Sequence, residues 1–176
     1  TRVFYDIGQE GYTAIESGAA CERLEKSLEQ SVHSQMISDV KLGCQLSGGV
    51  DSSLVTYFAA GKLKKGQLET ISILFNNPNY SEKRWVDEVA GQLELQSHQY
   101  LMDSDNYFGS LDKAVWHFEQ PLNHPNTIGI FLLSQEARKH VTVLLSGEGA
   151  DETLAGYERF VRPGANPYFN RVFLSG

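Results

Sequence analysis

The chain has 176 residues, of which 41% are hydrophobic and 21% charged, so it can form one globular domain with a sizeable core and is not expected to be disordered. Its formal net charge is −7 and its longest basic cluster runs only from Lys62 to Lys65, which argues against a nucleic-acid partner. The sequence has no apolar stretch near the roughly 20 residues that span a bilayer and no signal-peptide pattern at its first residues, so we expect a cytoplasmic protein without a membrane partner.

The apolar pattern along the chain alternates between helical and extended spacing. From the N-terminus it predicts a helix over 20–38, a strand over 40–46, a helix over 51–63, a strand over 70–75, a helix capped by Ser81 and a strand over 97–101. Further on it predicts a helix that follows Asp103 and includes Phe118, a helix over 127–139 and a strand over 141–145. This alternation predicts an α/β fold, a doubly wound parallel sheet with helices on both faces. Ligands of such a sheet bind beyond the C-terminal ends of its strands.

The two cysteines, Cys21 and Cys44, have no C-x-x-C spacing, and no pair of histidines in the sequence has the spacing of a metal site. Neither a zinc site nor a disulfide framework is therefore expected. Cys44 lies within an apolar run, and we expect it to pack as a small buried residue.

The first motif runs from Ser47 to Ser52, with the sequence S-G-G-V-D-S, between a predicted strand and a predicted helix. Its glycines allow a tight turn with inward-facing N–H groups, and the helix that follows adds the positive end of its dipole, so the loop suits a phosphate. Asp51 alone would repel a phosphate, so its presence predicts a bridging Mg²⁺ that binds carboxylate and phosphate oxygens together. The loop is not of the Walker type, because no lysine occurs between Lys41 and Lys62.

The second motif runs from Ser146 to Glu152, with the sequence S-G-E-G-A-D-E, and follows the predicted strand over 141–145. Because both motifs come directly after a strand, we expect the two loops to meet over one ligand. Asp151 is the best candidate for a second carboxylate on the magnesium, which prefers few carboxylates together with phosphate oxygens and water. Glu148 can take a proton from an amine nucleophile that lies within hydrogen-bond reach.

These residues resemble a known family. The first motif is similar to the loop of PP-loop ATP pyrophosphatases, which cleave ATP to AMP and pyrophosphate, and the second resembles the S-G-E-G-x-D-E motif of asparagine synthetases. The resemblance implies an adenine nucleotide α-hydrolase-like fold with ATP and Mg²⁺ as ligands. It also implies that the side-chain carboxylate of aspartate is adenylated and then attacked by ammonia, which comes from a glutaminase domain or partner.

The resemblance further implies roles for single residues. It assigns the adenine and ribose to Leu46, Ile73, Ser146 and Gly147, and the phosphates to Ser47, Gly48, Gly49 and Ser52. Leu46 and Ile73 can equally be ordinary strand core. Asp51 and Asp151 would hold the metal and, together with Glu148, form the catalytic set. The glutamate that matches Glu148 is associated with ammonia handling in asparagine synthetases, whereas β-lactam-forming synthetases have a tyrosine there.

The sequence departs from the family pattern in two places. The second motif continues as Thr153 to Tyr157, T-L-A-G-Y, where asparagine synthetases usually have a bulkier residue and then Phe-Gly-Gly-Tyr, so a slightly remodelled nucleotide site is expected. The family's later lysine, which steadies charge during acyl transfer, has no counterpart, because no lysine follows Lys139. We therefore expect a linker-like segment over 1–18, an ATP-binding core over 19–160 and, over 161–176, the start of a missing portion.

Three alternatives remain open at this point. Another PP-loop enzyme, such as a GMP synthetase, an NAD synthetase or a tRNA-thiolating enzyme, would share the first motif but not the second. A β-lactam-synthetase-like enzyme would differ at the position of Glu148. A nucleotide-binding fragment without turnover would account for the missing lysine.

Overall fold

A computed structural model describes residues 16–77 and 81–157 of the chain. Its centre is a four-stranded parallel sheet with the strand order β3-β2-β1-β4. The strands are β1 (Leu42–Gln45), β2 (Glu69–Phe75), β3 (Gln96–Met102) and β4 (Val143–Leu145). The predicted tail over 161–176 lies outside the described residues, as does most of the predicted linker over 1–18.

Seven helices occur in the part of the chain that the structure describes. They are α1 (Ser17–Gln35), α2 (Val50–Gly61), α3 (Lys83–Gln92), α4 (Ser104–Gly109), α5 (Leu111–Phe118), α6 (Asn126–Ala137) and α7 (Ala150–Leu154). None of the described helices is long and apolar enough to cross a membrane.

Both faces of the sheet are covered by helices. On one face, Cys44 of β1 packs in a buried cluster with Val32 of α1 and Phe58 of α2. On the other face, Ile71 of β2 packs against Leu133 and Ala137 of α6. The predicted doubly wound α/β fold is therefore confirmed. β2, at the centre of the sheet, has six of its seven residues buried or half-buried, as expected for a parallel strand covered on both faces, whereas the edge strand β3 is more polar and more exposed.

The chain reverses its winding direction at β1, and this reversal positions the functional loops. β1 pairs with β2 on one side and with β4 on the other, in the register Cys44↔Leu145. The crossovers through α2 and α3 lead toward β3, whereas the crossover through α4, α5 and α6 returns the chain to the other side of β1. The C-terminal ends of β1 and β4 are consequently neighbours, with a crevice between the segments that leave them.

The limits of α1, α2 and α6 lie one to three residues from the predicted ones, and two other boundaries differ in kind. The single helix predicted after Asp103 is two helices, because α4 ends at Gly109 and α5 begins at Leu111, with Ser110 between them. α3 begins at Lys83, and its N-cap is Glu82 and not the predicted Ser81. The Ser81 hydroxyl accepts a long hydrogen bond, 3.4 Å, from the Lys83 N–H. Hydrophobic spacing locates a helix by its apolar face and does not fix the residues at which the helix begins and ends.

A charged cluster closes the opposite, N-terminal edge of the sheet. The carboxylate of Glu69, which is 3% exposed, contacts the Lys41 ammonium through Oε1 and the His98 ring through Oε2. Burial by itself raises the pKa of Glu69, but the hydrogen bonds and positive charges of Lys41 and His98 outweigh it and hold the pKa below its ordinary value. These contacts tie together the starts of β1, β2 and β3.

Candidate active site

The first motif forms a loop that serine side chains hold closed. Ser52, at the start of α2, is 6% exposed, and its Oγ accepts a hydrogen bond from the Ser47 N–H at 3.2 Å. The same hydroxyl lies 3.1 Å from the Gly49 carbonyl, to which it donates, and 2.9 Å from Ser47 Oγ. The Gly49 N–H donates to Ser47 Oγ at 3.3 Å. The loop is thus fixed in one shape directly before the first turn of α2, whose N–H groups have no partner within the helix.

Gly48 has a packing role that the motif alone does not reveal. Its φ is +95°, a conformation that side chains rarely adopt, and a Cβ there would lie 2.9 Å from Glu82 Cβ. Gly48 therefore lets the loop lie directly against the segment that leads into α3. It does not line the pocket that its neighbours form, and its predicted phosphate contact stays a prediction.

The second motif lies against the first at one point of close backbone contact. A Cβ on Gly147 would be 2.9 Å from both the Asp51 carbonyl carbon and the Ser52 nitrogen. The chain then turns at Gly149, φ +91°, and enters α7, which contains Asp151. The two loops therefore meet, as expected. They can approach this closely because residue 147 is a glycine.

Asp151 lies in the first turn of the short helix α7, and it contacts the residues that follow the helix. The Gly156 N–H donates to the Asp151 carbonyl at 3.0 Å, and a Cβ on Gly156 would lie 1.9 Å from Asp151 Oδ1. The glycine of the G-Y pair that closes the second motif thus leaves space for the carboxylate. The adjacent Tyr157 hydroxyl donates to Glu152 Oε1 at 2.7 Å.

A small pocket of about 150 Å³ lies between the two loops. Its lining comprises Gln45, Ser47, Gly49, Asp51, Ser52, Gly147, Glu148, Gly149, Ala150, Asp151, Glu152 and Tyr157. Four of these residues are acidic, and none of the described residues that line the pocket is a lysine, arginine or histidine. A phosphate could not occupy such a pocket without a cation, because the carboxylates would repel it. Carboxylate and hydroxyl oxygens are the ligands that Mg²⁺ prefers, so this donor set fits the predicted ion.

A larger cleft of about 710 Å³ opens from the small pocket. The two cavities share Gln45, Ser47, Glu148 and Tyr157 in their linings, so they are adjacent at the ends of β1 and β2. A cavity of the larger size can hold a drug-sized organic ligand. The large, partly apolar cleft could take a nucleoside, and the small acidic pocket could take phosphates together with a cation.

Leu46 and Ile73 both line the larger cleft, as predicted for residues that contact the base and ribose. Each residue also has a place in the core. Leu46 is fully buried with Leu74 and Val86, and its carbonyl accepts a hydrogen bond from Ser72 Oγ at 2.5 Å. Ile73 packs at the edge of the cluster that contains Ile71. The choice between a core role and a nucleotide contact therefore stays open for both residues.

Glu148 lies where the two cavities join and is exposed. Its N–H lies 3.4 Å from Ser146 Oγ, to which it donates. Ser146 itself lines a neighbouring groove between α1, α2 and α7, together with Gly147. The structure thus places Glu148 at a point that a nucleotide and a second reactant could share.

Sequence patterns did not reveal one wall of the larger cleft. This wall is formed by the start of α6 and the residues before it, which are His124, Pro125, Asn126 and Thr127. The Tyr107 hydroxyl donates to the Pro125 carbonyl at 3.1 Å, which fixes this wall to α4. His124 is exposed and lies in a polar loop, and the packing of α6 against β2 brings this loop to the cleft. In the sequence, Pro121 and Pro125 on either side of His124 indicate an ordered loop.

Comparison with known proteins identifies relatives of this arrangement. The family model for asparagine synthase matches residues 23–173. The chain is 37% identical over 151 residues to asparagine synthetase [glutamine-hydrolyzing] 1 of Bacillus subtilis, which covers 86% of this chain and 24% of that protein. It is 29% identical over 165 residues to the asparagine synthetase [glutamine-hydrolyzing] of Cricetulus griseus, which covers 89% of this chain and 29% of that protein. The chain thus spans about a quarter of the length of these curated relatives.

A solved structure shares the fold. The NH3-dependent NAD synthetase from Campylobacter jejuni aligns with a TM-score of 0.50 and 17% identity, over 82% of this chain and 62% of that one. At this identity the likeness concerns the fold alone, and it agrees with the parallel sheet and helix layers described above. The family match over most of the chain, with both motif loops inside it, shows that the chain belongs to the asparagine synthase family.

Proposed function

We propose that this chain is the ATP-binding core of an asparagine synthetase, formed by residues 19–160. In the proposed reaction the side-chain carboxylate of aspartate attacks the α-phosphorus of ATP, and ammonia then displaces AMP from the acyl-adenylate. The observation that carries the proposal is the pocket where the two family motifs meet, which is lined by Asp51, Glu148 and Asp151 without a basic residue among its described lining.

The proposal places ATP across the two adjacent cavities. The adenosine occupies the larger cleft near Leu46 and Ile73, and the phosphates lie in the small pocket beside the loop that Ser47 and Ser52 hold closed. A preorganised loop favours catalysis because its hydrogen-bond donors need not move when negative charge develops on the departing pyrophosphate. The N-terminus of α2 supplies a further favourable dipole at the same point.

Asp51 and Asp151 would hold Mg²⁺, since both line the small pocket and both offer carboxylate oxygens. When bound, the ion supplies the positive charge that neutralises pyrophosphate. The two carboxylates are positioned differently, because Asp51 lies in the first turn of α2, whereas Asp151 lies in α7 against Gly156. The loop contact at Gly147 sets the separation between them.

Glu148 is proposed as the group that handles ammonia. When ammonia attacks the acyl carbon, the nitrogen must lose a proton, and a carboxylate oxygen of Glu148 can accept it at the junction of the two cavities. Two named relatives are glutamine-hydrolysing enzymes, and we infer that ammonia reaches this site from a glutaminase domain or partner. We further infer that the protein acts in the cytoplasm, without nucleic-acid or membrane partners.

The test is a product assay on the purified chain with ATP, Mg²⁺, aspartate and ammonium. The proposal predicts AMP, pyrophosphate and asparagine in equal amounts, and it predicts that AMP formation depends on aspartate. Glu148→Gln should still exchange pyrophosphate into ATP but form asparagine at least about 100-fold more slowly, by loss of the proton acceptor. ADP as the product would contradict the proposal. Tight ATP binding without AMP from any amino acid would favour a non-catalytic nucleotide-binding module instead.

A further inference from the structure

A second cluster of potential ligands lies at the edge of the sheet opposite the nucleotide cleft. Glu69 is the first residue of β2, His98 lies in β3, and His140 lies between α6 and β4. One ligand atom from each of the three residues lies within 4.8 Å of those of the others. No spacing in the sequence connects these residues, because three separate elements bring them together.

The carboxylate in this cluster is held in a defined orientation. Glu69 is almost fully buried, and its Oε1 contacts Lys41 while its Oε2 contacts Nε2 of His98. The Lys41 side chain is 57% exposed and reaches in from the solvent side. One carboxylate oxygen is thus fixed by a lysine, and the other points at an imidazole nitrogen.

The two imidazoles are arranged face to face. The rings of His98 and His140 are stacked with their centroids 3.6 Å apart and an angle of 19° between their planes. The Tyr100 hydroxyl lies 2.6 Å from Nε2 of His140. If the hydroxyl accepts the Nε2 proton, the lone pair of His140 lies on Nδ1. Such a hydrogen bond on the remote nitrogen is what orients histidines that bind metals.

Ion pairing alone leaves part of this arrangement unexplained. Lys41 already compensates the charge of Glu69, so the second histidine and its tyrosine are not needed for neutrality. Two stacked imidazoles are also a poor pair of cations, since both could not be protonated at 3.6 Å without strong repulsion. A bound metal ion would take the place of the protons on these nitrogens, so the two rings can offer two nitrogen donors beside one buried carboxylate.

We propose that Glu69, His98 and His140 bind a divalent transition-metal ion, with Zn²⁺ as the best fit. Two histidine nitrogens and one carboxylate oxygen are a common zinc donor set, with a fourth position left for water. The nitrogen ligands disfavour Mg²⁺ and Ca²⁺, which prefer oxygen. The His98 and His140 rings must rotate out of their stack to direct both nitrogens at one ion, which requires only side-chain torsions.

The proposed ion would link three parts of the fold. It would join β2, β3 and the turn between α6 and β4, which are held on one another at present by the sheet and by apolar packing. Any ion that binds the folded chain alone raises its stability in proportion to the logarithm of its concentration. Binding releases protons from ligands, so it should weaken as the pH falls through the range in which histidine becomes protonated. The site is independent of the proposed nucleotide site, which lies at the other end of the strands.

The test is a titration of the metal-free full chain with Zn²⁺ and Co²⁺, without nucleotide. We expect one equivalent of Zn²⁺ by calorimetry, a rise in the unfolding temperature and d–d absorption bands of Co²⁺ from a site of low coordination number. His98→Gln and His140→Gln should each weaken binding at least about 100-fold, and Tyr100→Phe about 10-fold. His117→Gln is the matched control, because this exposed histidine lies outside the cluster and should leave binding unchanged.

Several results would overturn the proposal. Absence of Zn²⁺ binding to the folded wild-type chain would do so, as would unchanged affinity in both histidine variants. Loss of binding on Cys21→Ser, with a thiolate-to-cobalt charge-transfer band in the wild type, would assign the ion to the exposed thiol instead. Circular dichroism of each metal-free variant establishes folding first. If the histidine variants fail to fold, unchanged affinity in Tyr100→Phe would itself contradict the assignment.

Discussion

Gly147 occupies a position where any side chain would strike the backbone of the neighbouring loop. The nearest atoms to a Cβ there are the Asp51 carbonyl carbon and the Ser52 nitrogen, both at 2.9 Å. Neither atom can swing aside as the end of a flexible side chain could, because both belong to the first turn of α2. The two motif loops can therefore lie this close only because residue 147 has no Cβ.

Gly147→Ala should accordingly weaken ATP binding by at least about tenfold and destabilise the fold by about 1–3 kcal/mol, as overpacking typically does. Calorimetry with ATP and urea unfolding measure the two effects. Gly91→Ala is the matched control, since a Cβ at this exposed position in α3 meets nothing within 4 Å. The control should leave ATP affinity unchanged and raise stability by about 0.5–1 kcal/mol. Equal ATP affinity in Gly147→Ala and the wild type would show that the loop contact is unimportant.

The sequence alone sufficed to predict that Asp51 and Asp151 would line one pocket, because parallel strands end at the same edge of a sheet. It did not reveal that the Ser52 hydroxyl closes its own loop, nor that Gly48 packs against Glu82. Both depend on backbone torsions and on an approach between distant segments. The contact of Glu69 with His98 was also not predictable from the sequence. The two residues are 29 positions apart and meet only because their strands pair.

At the scale of the elements, the start of α4 is stabilised by local hydrogen bonds. The Asp103 side chain accepts a hydrogen bond from the Asn106 N–H at 2.8 Å, and the Asn106 side chain accepts one from the Asp103 N–H at 3.0 Å. This reciprocal capping box begins α4. Ser110, which follows Gly109 at the end of α4, then serves as the N-cap of α5.

Asp103→Ala should lower the free energy of unfolding by about 1 kcal/mol, because the backbone N–H of Asn106 loses its partner. Urea denaturation measures the change. Asp105→Ala is the matched control, since this acid lies in the first turn of α4 without forming the cap, and should cost at most a few tenths of a kcal/mol. If the two substitutions have the same effect, general electrostatics at the helix start, and not the cap, stabilises α4.

The order of elements was predictable, whereas some boundaries were not. Strand β2 stands out because it is a β-branched and aliphatic run, and the structure has β2 and β3 within one residue of their predicted limits. Leu111, Ala114 and Phe118 keep a helical period, but all three lie within α5. Periodicity reports which face of a helix is apolar, and it does not report where the preceding helix ends.

For the molecule as a whole, β1 is an interior strand of the sheet: the first motif loop follows β1, and the second follows β4, which pairs with β1. Cys44 lies within β1. Cys44 is fully buried, and burial raises the pKa of its thiol to about 12, although a hydrogen bond with Thr56 acts in the opposite direction. Its thiolate, the reactive form, is therefore scarce as well as inaccessible at neutral pH. Cys21, in contrast, lies exposed on α1.

The folded chain should therefore show one reactive thiol toward DTNB, with the second appearing only as the sheet unfolds. Cys21→Ser isolates the slow reaction, whose rate should rise with urea in parallel with global unfolding. Cys44→Ser is the companion variant, and it should remove only the slow phase. Rapid reaction of Cys44 in the native protein at neutral pH would show that β1 is accessible without unfolding.

The central claim is that the two motif loops form one Mg²⁺-dependent ATP site, and a calorimetric titration tests it most directly. ATP is added to the purified chain with and without Mg²⁺, with GTP as the ligand control. Asp51→Asn is compared with Asp105→Asn. The control removes the same charge, but from α4, which lies away from the loops. The account predicts that Mg²⁺ strengthens ATP binding and that Asp51→Asn alone abolishes this gain. ATP binding that is indifferent to both Mg²⁺ and Asp51, or no binding by the folded wild type, would contradict it.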